Sequence, residues 1–347
     1  MTFLDFYSVV EEAWQAYDPT RKIARIEDIS AKVSTNHVYR ITLNDKNSIV
    51  AKLSYFGKFE HFVEDHAIIN ALSNNLPEPF ENFLSRSLFK GTELFVHHHQ
   101  SNLFNAWVVF YRPVKILNKL PKRLNEDQIK LLGIETARFH EACLIIANSL
   151  PTSSKTMVVD IDDLLDIVNT DEGKFEFGGH HDLIHEHCER FKQNFVDLDA
   201  GRLNTIPVFV DWNIGNFSVT DDFQLFSRWD YDWFRMSTRM MDFYFFSRVV
   251  SNIGDQTMFT YNIDVLMQDR FLLYLKAYHD RNPLSEQEIL FLKECYRFFL
   301  LTYVIKYGRY FFHDLFATRL QKEAIEQHLP VLDKKFNPTI LLKALNL

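Results

Sequence analysis

Glycine and proline are scarce in this chain, ten of each among 347 residues. A turn-rich all-β fold needs many of both at its reversals, so their scarcity, together with 33 Phe, favours long helices. Cysteine is scarcer still. Cys143, Cys188 and Cys295 are far apart and odd in number, which excludes a disulfide framework and points to a reducing, cytoplasmic setting. No apolar run reaches the roughly 18 residues that a membrane span requires. The opening "MTFLDFYSVVEEAW" has no basic stretch, and acids interrupt its apolar residues, so it is not read as a secretion signal. A basic excess is missing too: the net charge of −8 argues against a broad nucleic-acid-binding face.

The negative charge is unevenly placed. Residues 160–199 hold twelve acids and three bases, a net of −9 that exceeds the total for the whole chain. Such a segment reads first as a solvated helix face, and second as a rim whose field attracts a cationic ligand. The same region holds "GGHHDLIHEHCE" at 178–189, where His181 and His185 are four apart near His187 and Cys188. Helical spacing would put the first two on one face, but a second group of ligands is missing, so a polar helix surface is expected there. The run "HHH" at 97–99 sits on a strand-like stretch, where alternation splits its side chains between two faces.

A length of 347 residues exceeds what one compact core usually takes, so two lobes are expected. Residues 3–17 look helical. "NHVYRITL" and "SIVAKLS", separated by "NDKN", read as a hairpin whose turn lacks glycine. "FEHFVEDHAIINAL" has helical spacing, and "SRSLFKG", "TELFVHHHQ" and "NAWVVFYR" look like strands. The first 112 residues therefore predict a small antiparallel sheet with one helix. From Pro113 the pattern changes. "EDQIKLLGIETARFHEACLIIAN" predicts a long helix with Ile129, Leu132, Phe139 and Cys143 near one face. Residues 256–347 read almost wholly as helix, with Ser285 and Glu288 forming a capping-box pattern. The overall expectation is an α+β chain of two lobes, 1–112 and 113–347.

Between the helical stretches lies "VFVDWNIGNFSV", residues 208–219, followed by "RWDYDWF". Asp211 precedes Asn216 by five residues, and Asp230 follows Asn216 by 14, all in strongly apolar settings. Unpaired buried charge is costly, so the three groups need a chemical reason to be there. They suit phosphoryl transfer from Mg-ATP, which demands positioning and charge neutralisation more than covalent chemistry. One Asp can orient a hydroxyl and accept its proton; an Asn and a second Asp can offer Mg²⁺ the hard oxygens it prefers. Two short hairpin strands are expected to bring the three to one edge.

At these residues the chain resembles the aminoglycoside phosphotransferase and choline kinase family, which has the bilobal protein-kinase-like fold. That family's loop usually reads His-x-Asp-x-x-x-x-Asn, and Asp211, Gly215 and Asn216 align with it. The resemblance implies Asp211 as the catalytic base, Asn216 and Asp230 as Mg²⁺ ligands, and Asp242 of "RMMDFYFF" as a structural acid that orders the loop. It implies Lys52 of "SIVAKLS" as the ATP lysine, paired with Glu64 of the following helix in preference to the adjacent Asp65. "AWVVFYRPV" is placed like the hinge, with Phe110 and Arg112 receiving adenine through backbone groups. "ETARFHEA" resembles the helix that precedes the catalytic loop. These motifs span residues 30–250 in the family's order.

Departures carry expectations of their own. Phe209 stands where the family usually has His, and would brace the loop by packing instead of hydrogen bonding. Asn213 replaces another common His. The loop "AKVSTNH" lacks glycine, and its side chains are expected to crowd the phosphates. Asp232 reads as a surface acid. The expected activity is ATP-dependent transfer to a hydroxyl of a small molecule, such as an aminoglycoside, amino sugar, choline-like or amino alcohol. ATP and Mg²⁺ are the expected cofactors, with neither nucleic acid nor membrane as partner. The alternative is a nucleotide-binding or scaffold protein that keeps the fold without turnover. A protein kinase ranks last, because no Ala-Pro-Glu signature follows the metal acid.

Overall fold

The computed structural model describes residues 5–31, 34–102, 104–254 and 259–347. The first helix, α1 (Phe6–Tyr17), begins at Asp5, whose carboxylate accepts from Ser8 N at 3.2 Å. Residues 3 and 4 of the expected helix, and Lys32 and Val33 of the glycine-free loop, lie outside the described residues. Five strands form an antiparallel sheet: β1 (Ile23–Asp28), β2 (His37–Leu43), β3 (Ser48–Ser54), β6 (Val96–Gln100) and β7 (Asn105–Tyr111), in the order β1-β2-β3-β7-β6. A short hairpin, β4 (Phe89–Lys90) and β5 (Glu93–Leu94), sits beside it. The turn between β2 and β3 manages without glycine: Lys46 takes the left-handed conformation at φ 66°, and the Asp45 carboxylate accepts from Asn47 N at 2.9 Å.

Alternation along the strands divides the sheet into two faces. One carries Tyr39, Ile41, Ala51, Leu53, Val108 and Phe110, which pack with Val9, Val10, Ala13 and Trp14 of α1 into a core of their own. The other carries Val38, Val50, Lys52 and Val109 and faces the helical part of the chain. The helix α2 (Phe59–Asn75) buries Ile68, Ile69 and Leu72 in the larger core that the helical part builds.

That part opens with α3 (Glu126–Ile146), whose capping box pairs Asn125 with Gln128 and whose buried stripe includes Ile129, Leu132, Phe139 and Cys143. Gly133 lets α3 approach α8 (Asp269–Arg281): a Cβ there would meet the Tyr274 carbonyl at 2.6 Å. The acidic segment forms α4 (Met157–Asn169), α5 (Asp171–Phe177) and α6 (His181–Asp197). On α6 the histidines separate, with His187 and Cys188 buried and His185 exposed, which is incompatible with one metal site. The helix α9 (Glu286–Phe299), with its Ser285–Glu288 capping box, runs into a π-helical turn at Leu300–Lys306, and short helices complete the chain to Leu345.

Four short strands and α7 (Met240–Val250) interrupt the helices. They are β8 (Ile206–Val208), β9 (Phe217–Val219), β10 (Leu225–Arg228) and β11 (Arg235–Ser237). β9 pairs with β10, and β8 pairs with β11 across them. The two ladders are nested, so the loops 209–216 and 229–234 leave the inner pair together.

Candidate active site

Asp211 stands on a strained turn. Val210 has φ 60°, a region that a β-branched residue rarely enters, and Asp211 N donates back to the Phe209 carbonyl at 2.6 Å. Such strain persists only where the surroundings over-determine it. Here they do: one oxygen of Asp242, fully buried on α7, accepts from Phe209 N at 3.0 Å and Val210 N at 2.7 Å. Its other oxygen meets His140 Nε2 of α3 at 3.1 Å, and His140 Nδ1 meets the Tyr278 hydroxyl at 2.8 Å. Asp242 thus holds the loop as expected of a structural acid, and the helix "ETARFHEA" supplies the group that holds Asp242.

Phe209 braces the loop by packing, through a residue that the sequence reading missed. Arg228, fully buried at the end of β10, lies over the Phe209 ring at 4.5 Å and the Trp212 ring at 4.3 Å. Its Nη2 donates to the Asp211 carbonyl at 2.9 Å. Ring faces attract a desolvated guanidinium, so two aromatic residues hold the cation that holds the loop. The available signal was an Arg inside an apolar strand, two residues before Asp230.

The Asp211 carboxylate accepts from Asn216 Nδ2 at 3.0 Å and from Asn213 N at 3.3 Å. Burial pushes its pKa up to about 6, with the nearby Asp230 adding to the rise and Arg228 opposing it. Asp230 also sits at positive φ, 68°, and its side chain meets solvent. Desolvation opposes its ionisation, but the Lys52 ammonium at 3.1 Å outweighs that and holds the carboxyl below its usual range.

Lys52 is buried on the inner face of β3 and pairs with both Asp230 and Asp232. Burial works against its charge, yet the two acids outweigh burial and raise its pKa. Asp232 is therefore no surface acid. It also accepts from Asn36 Nδ2 at 2.7 Å, and burial beside Asp230 lifts its pKa to about 6 against the pull of Lys52.

Glu64 does not meet Lys52. Its carboxylate accepts from Ser153 Oγ at 2.7 Å and Ser154 N at 2.8 Å, while Asp65 pairs with Lys155 at 2.5 Å. The reason is the rotation of α2. The buried His66, bonded to the Tyr111 hydroxyl, occupies the sheet-facing side, and a residue two positions away points roughly 200° round the helix. Glu64 and Asp65 both reach the segment before α4 instead.

Phe110 and Arg112 are likewise occupied. The Phe110 side chain packs against Trp14, ring to ring at 5.3 Å, on the face away from Lys52. Its carbonyl accepts from Leu88 N at 2.8 Å, and Arg112 N donates to the Arg86 carbonyl at 2.9 Å. The backbone of Val114, two residues on, makes no hydrogen bond among the described residues.

Beside Asp232, the partner of Lys52, is a cavity of about 220 Å³, lined by Asp65, Asp160, Tyr303 and Tyr307 among others. Of the acidic segment only Asp160 reaches it, bonded to Arg235 at 2.9 Å.

The arrangement can hold a cation at its acids, an anion at Lys52 and a hydroxyl at Asp211. If Asp211 must be ionised to work, kcat/KM should fall about tenfold per pH unit as pH drops below about 6. A profile from about pH 5 to 9 measures this, and a flat acid limb would remove Asp211 from the role of base.

The fold is that of protein-kinase-like small-molecule phosphotransferases. An amicoumacin kinase solved with AMP-PNP and Ca²⁺ is similar over 97% of this chain and 97% of its own, at a TM-score of 0.63 and 12% identity. A macrolide 2′-phosphotransferase is similar over 94% of this chain and 100% of its own, at 0.56 and 12%. A microcompartment-associated aminopropanol kinase is similar over 98% of this chain and 95% of its own, at 0.53 and 13%. No family model and no curated protein matches the sequence. Among the described residues no helix is long and apolar enough to cross a membrane.

Proposed function

We propose that this chain is a small-molecule kinase that transfers the γ-phosphoryl group of Mg-ATP to a hydroxyl. The observation that carries the reading is the contact chain from Lys52 through Asp230 to Asp211 and Asn216 in a protein-kinase-like fold. The donor set fits the cofactor. Asn216 and Asp230 offer hard oxygens of the kind Mg²⁺ takes, and Lys52 offers a buried cation to phosphate. When bound, Mg-ATP supplies the phosphoryl group and the charge that offsets the acids. Asp211 orients the acceptor hydroxyl and takes its proton at a carboxylate oxygen. Lys52 would hold the phosphates, and the backbone of Val114, in place of Phe110 and Arg112, would receive the base. The aminopropanol and amicoumacin kinases among the similar structures support an amine-bearing acceptor. So does the acidic segment 160–199, whose field favours cations.

Thermal-shift titration with Mg-ATP and Mg-GTP tests the nucleotide site. A ligand at about 100 times its Kd stabilises by about 2.7 kcal/mol, a shift of several degrees. The shift should require Mg²⁺ and vanish in Asp230→Asn and Lys52→Met. No Mg²⁺-dependent shift with either nucleotide would reject this function.

One feature favours the reading of a fold without turnover. The segment before β2 is tied to the C-terminal helices, with Thr35 N donating to the Phe311 carbonyl at 3.3 Å and the Thr35 hydroxyl bonded to the Tyr310 carbonyl. That reading expects either nucleotide binding with no ADP release for any amino alcohol or amino sugar, or no nucleotide binding at all.

A further inference from the structure

The run "HHH" at 97–99 lies on β6, the edge strand beyond β7. Alternation sends His98 to one side, stacked on Phe59 at 4.1 Å between ring centroids. It sends His97 and His99 together to the other side, toward α1. There Glu12, next to the buried Ala13, projects its carboxylate between the two rings. One oxygen lies 3.2 Å from His97 Nε2 and the other 2.9 Å from His99 Nδ1. The ligand atoms of all three residues fall within 4.8 Å of one another.

We propose that Glu12, His97 and His99 bind one divalent transition-metal ion of the zinc class, which clamps α1 to the edge of the sheet. Two imidazoles and one carboxylate are the borderline donors that zinc takes, and a fourth position remains for water. Bond lengths of about 2.0–2.2 Å put tetrahedral ligands roughly 3.3 Å apart, and the two Glu12–imidazole separations already lie within a few tenths of an ångström of that spacing. The two histidine side chains are 15% and 20% exposed and so held in place, whereas Glu12 is 53% exposed and keeps the site open to solvent. On binding, each ring turns a lone pair to the metal, and the proton that faced Glu12 moves to the other ring nitrogen or is released. The site lies outside the candidate catalytic cleft and does not depend on its function.

The competing account is an ion-paired contact between helix and strand with no metal. Chelator-treated full-length protein titrated with Zn²⁺ by calorimetry separates the two. One equivalent should bind saturably, and Zn²⁺ should raise the melting temperature. His99→Gln and Glu12→Gln should weaken that binding on the order of tenfold or more, whereas His98→Gln, on the opposite side, should not. Tetrahedral Co²⁺ absorption bands on the unaltered protein give a readout that needs no variant. The proposal is overturned by the absence of saturable Zn²⁺ binding. It is equally overturned if His99→Gln binds like wild type, or if Co²⁺ shows only its aqueous spectrum.

Discussion

Asp211→Asn should lower ADP release by about 10²–10⁴-fold while leaving the protein folded. The amide has the same shape and keeps an oxygen for Asn213 N, but it cannot take a proton from a hydroxyl. The stability of the two forms should diverge with pH in a defined direction. Burial lifts the folded pKa of Asp211 to about 6, and the unfolded value is about 3.9. A raised acid favours the folded state at low pH, and that contribution is lost as pH rises from about 4 through about 6. Asp211→Asn should therefore gain melting temperature relative to wild type between about pH 4.5 and 7.5. Equal turnover in the two proteins would end the proposed mechanism. A lower melting temperature of the Asn variant at neutral pH would show that the carboxylate supports the fold instead of being held against it.

The second large effect belongs to a residue that would touch no substrate. Asp242→Ala removes the acceptor for Phe209 N, Val210 N and His140 Nε2 at once, all in a fully buried setting. Breaking a buried charged network by deleting one partner costs about 3–5 kcal/mol. In a chain of this size that is a drop in melting temperature on the order of 10 °C. Activity should fall further than stability explains, because the left-handed turn at Val210 loses the bonds that over-determine it and Asp211 loses its aim. Chemical unfolding of Asp242→Ala beside the exposed control Asp182→Ala measures the first effect. A loss below about 1 kcal/mol would mean that packing alone holds the loop.

Which parts of the site were legible in the sequence follows from the range of the forces involved. Asp211, Asn216 and Asp242 are placed by short-range patterns, a strand, a turn and a helix start, and the structure puts Asp242 on the amides of the loop it was expected to order. Residues whose roles depend on rotation about an element were not legible. Helical register favoured Glu64 over Asp65 as the partner of Lys52. Only the docking of α2, with His66 against Tyr111, turned Glu64 toward Ser153. Strand alternation likewise turned Phe110 to α1 and left Lys52 on the inner face.

The sequence by itself determined the α+β order of elements, the helical second part and the linear spacing of the acids and amide, because periodicity and turn chemistry are local. The tertiary structure alone decided that Lys52 pairs with Asp230 and Asp232 and that Arg228 rests between Phe209 and Trp212. It alone brought Glu12 to His97 and His99. Each of these is a meeting of side chains far apart in the chain, set by how buried faces pack and by where a desolvated charge finds its partner.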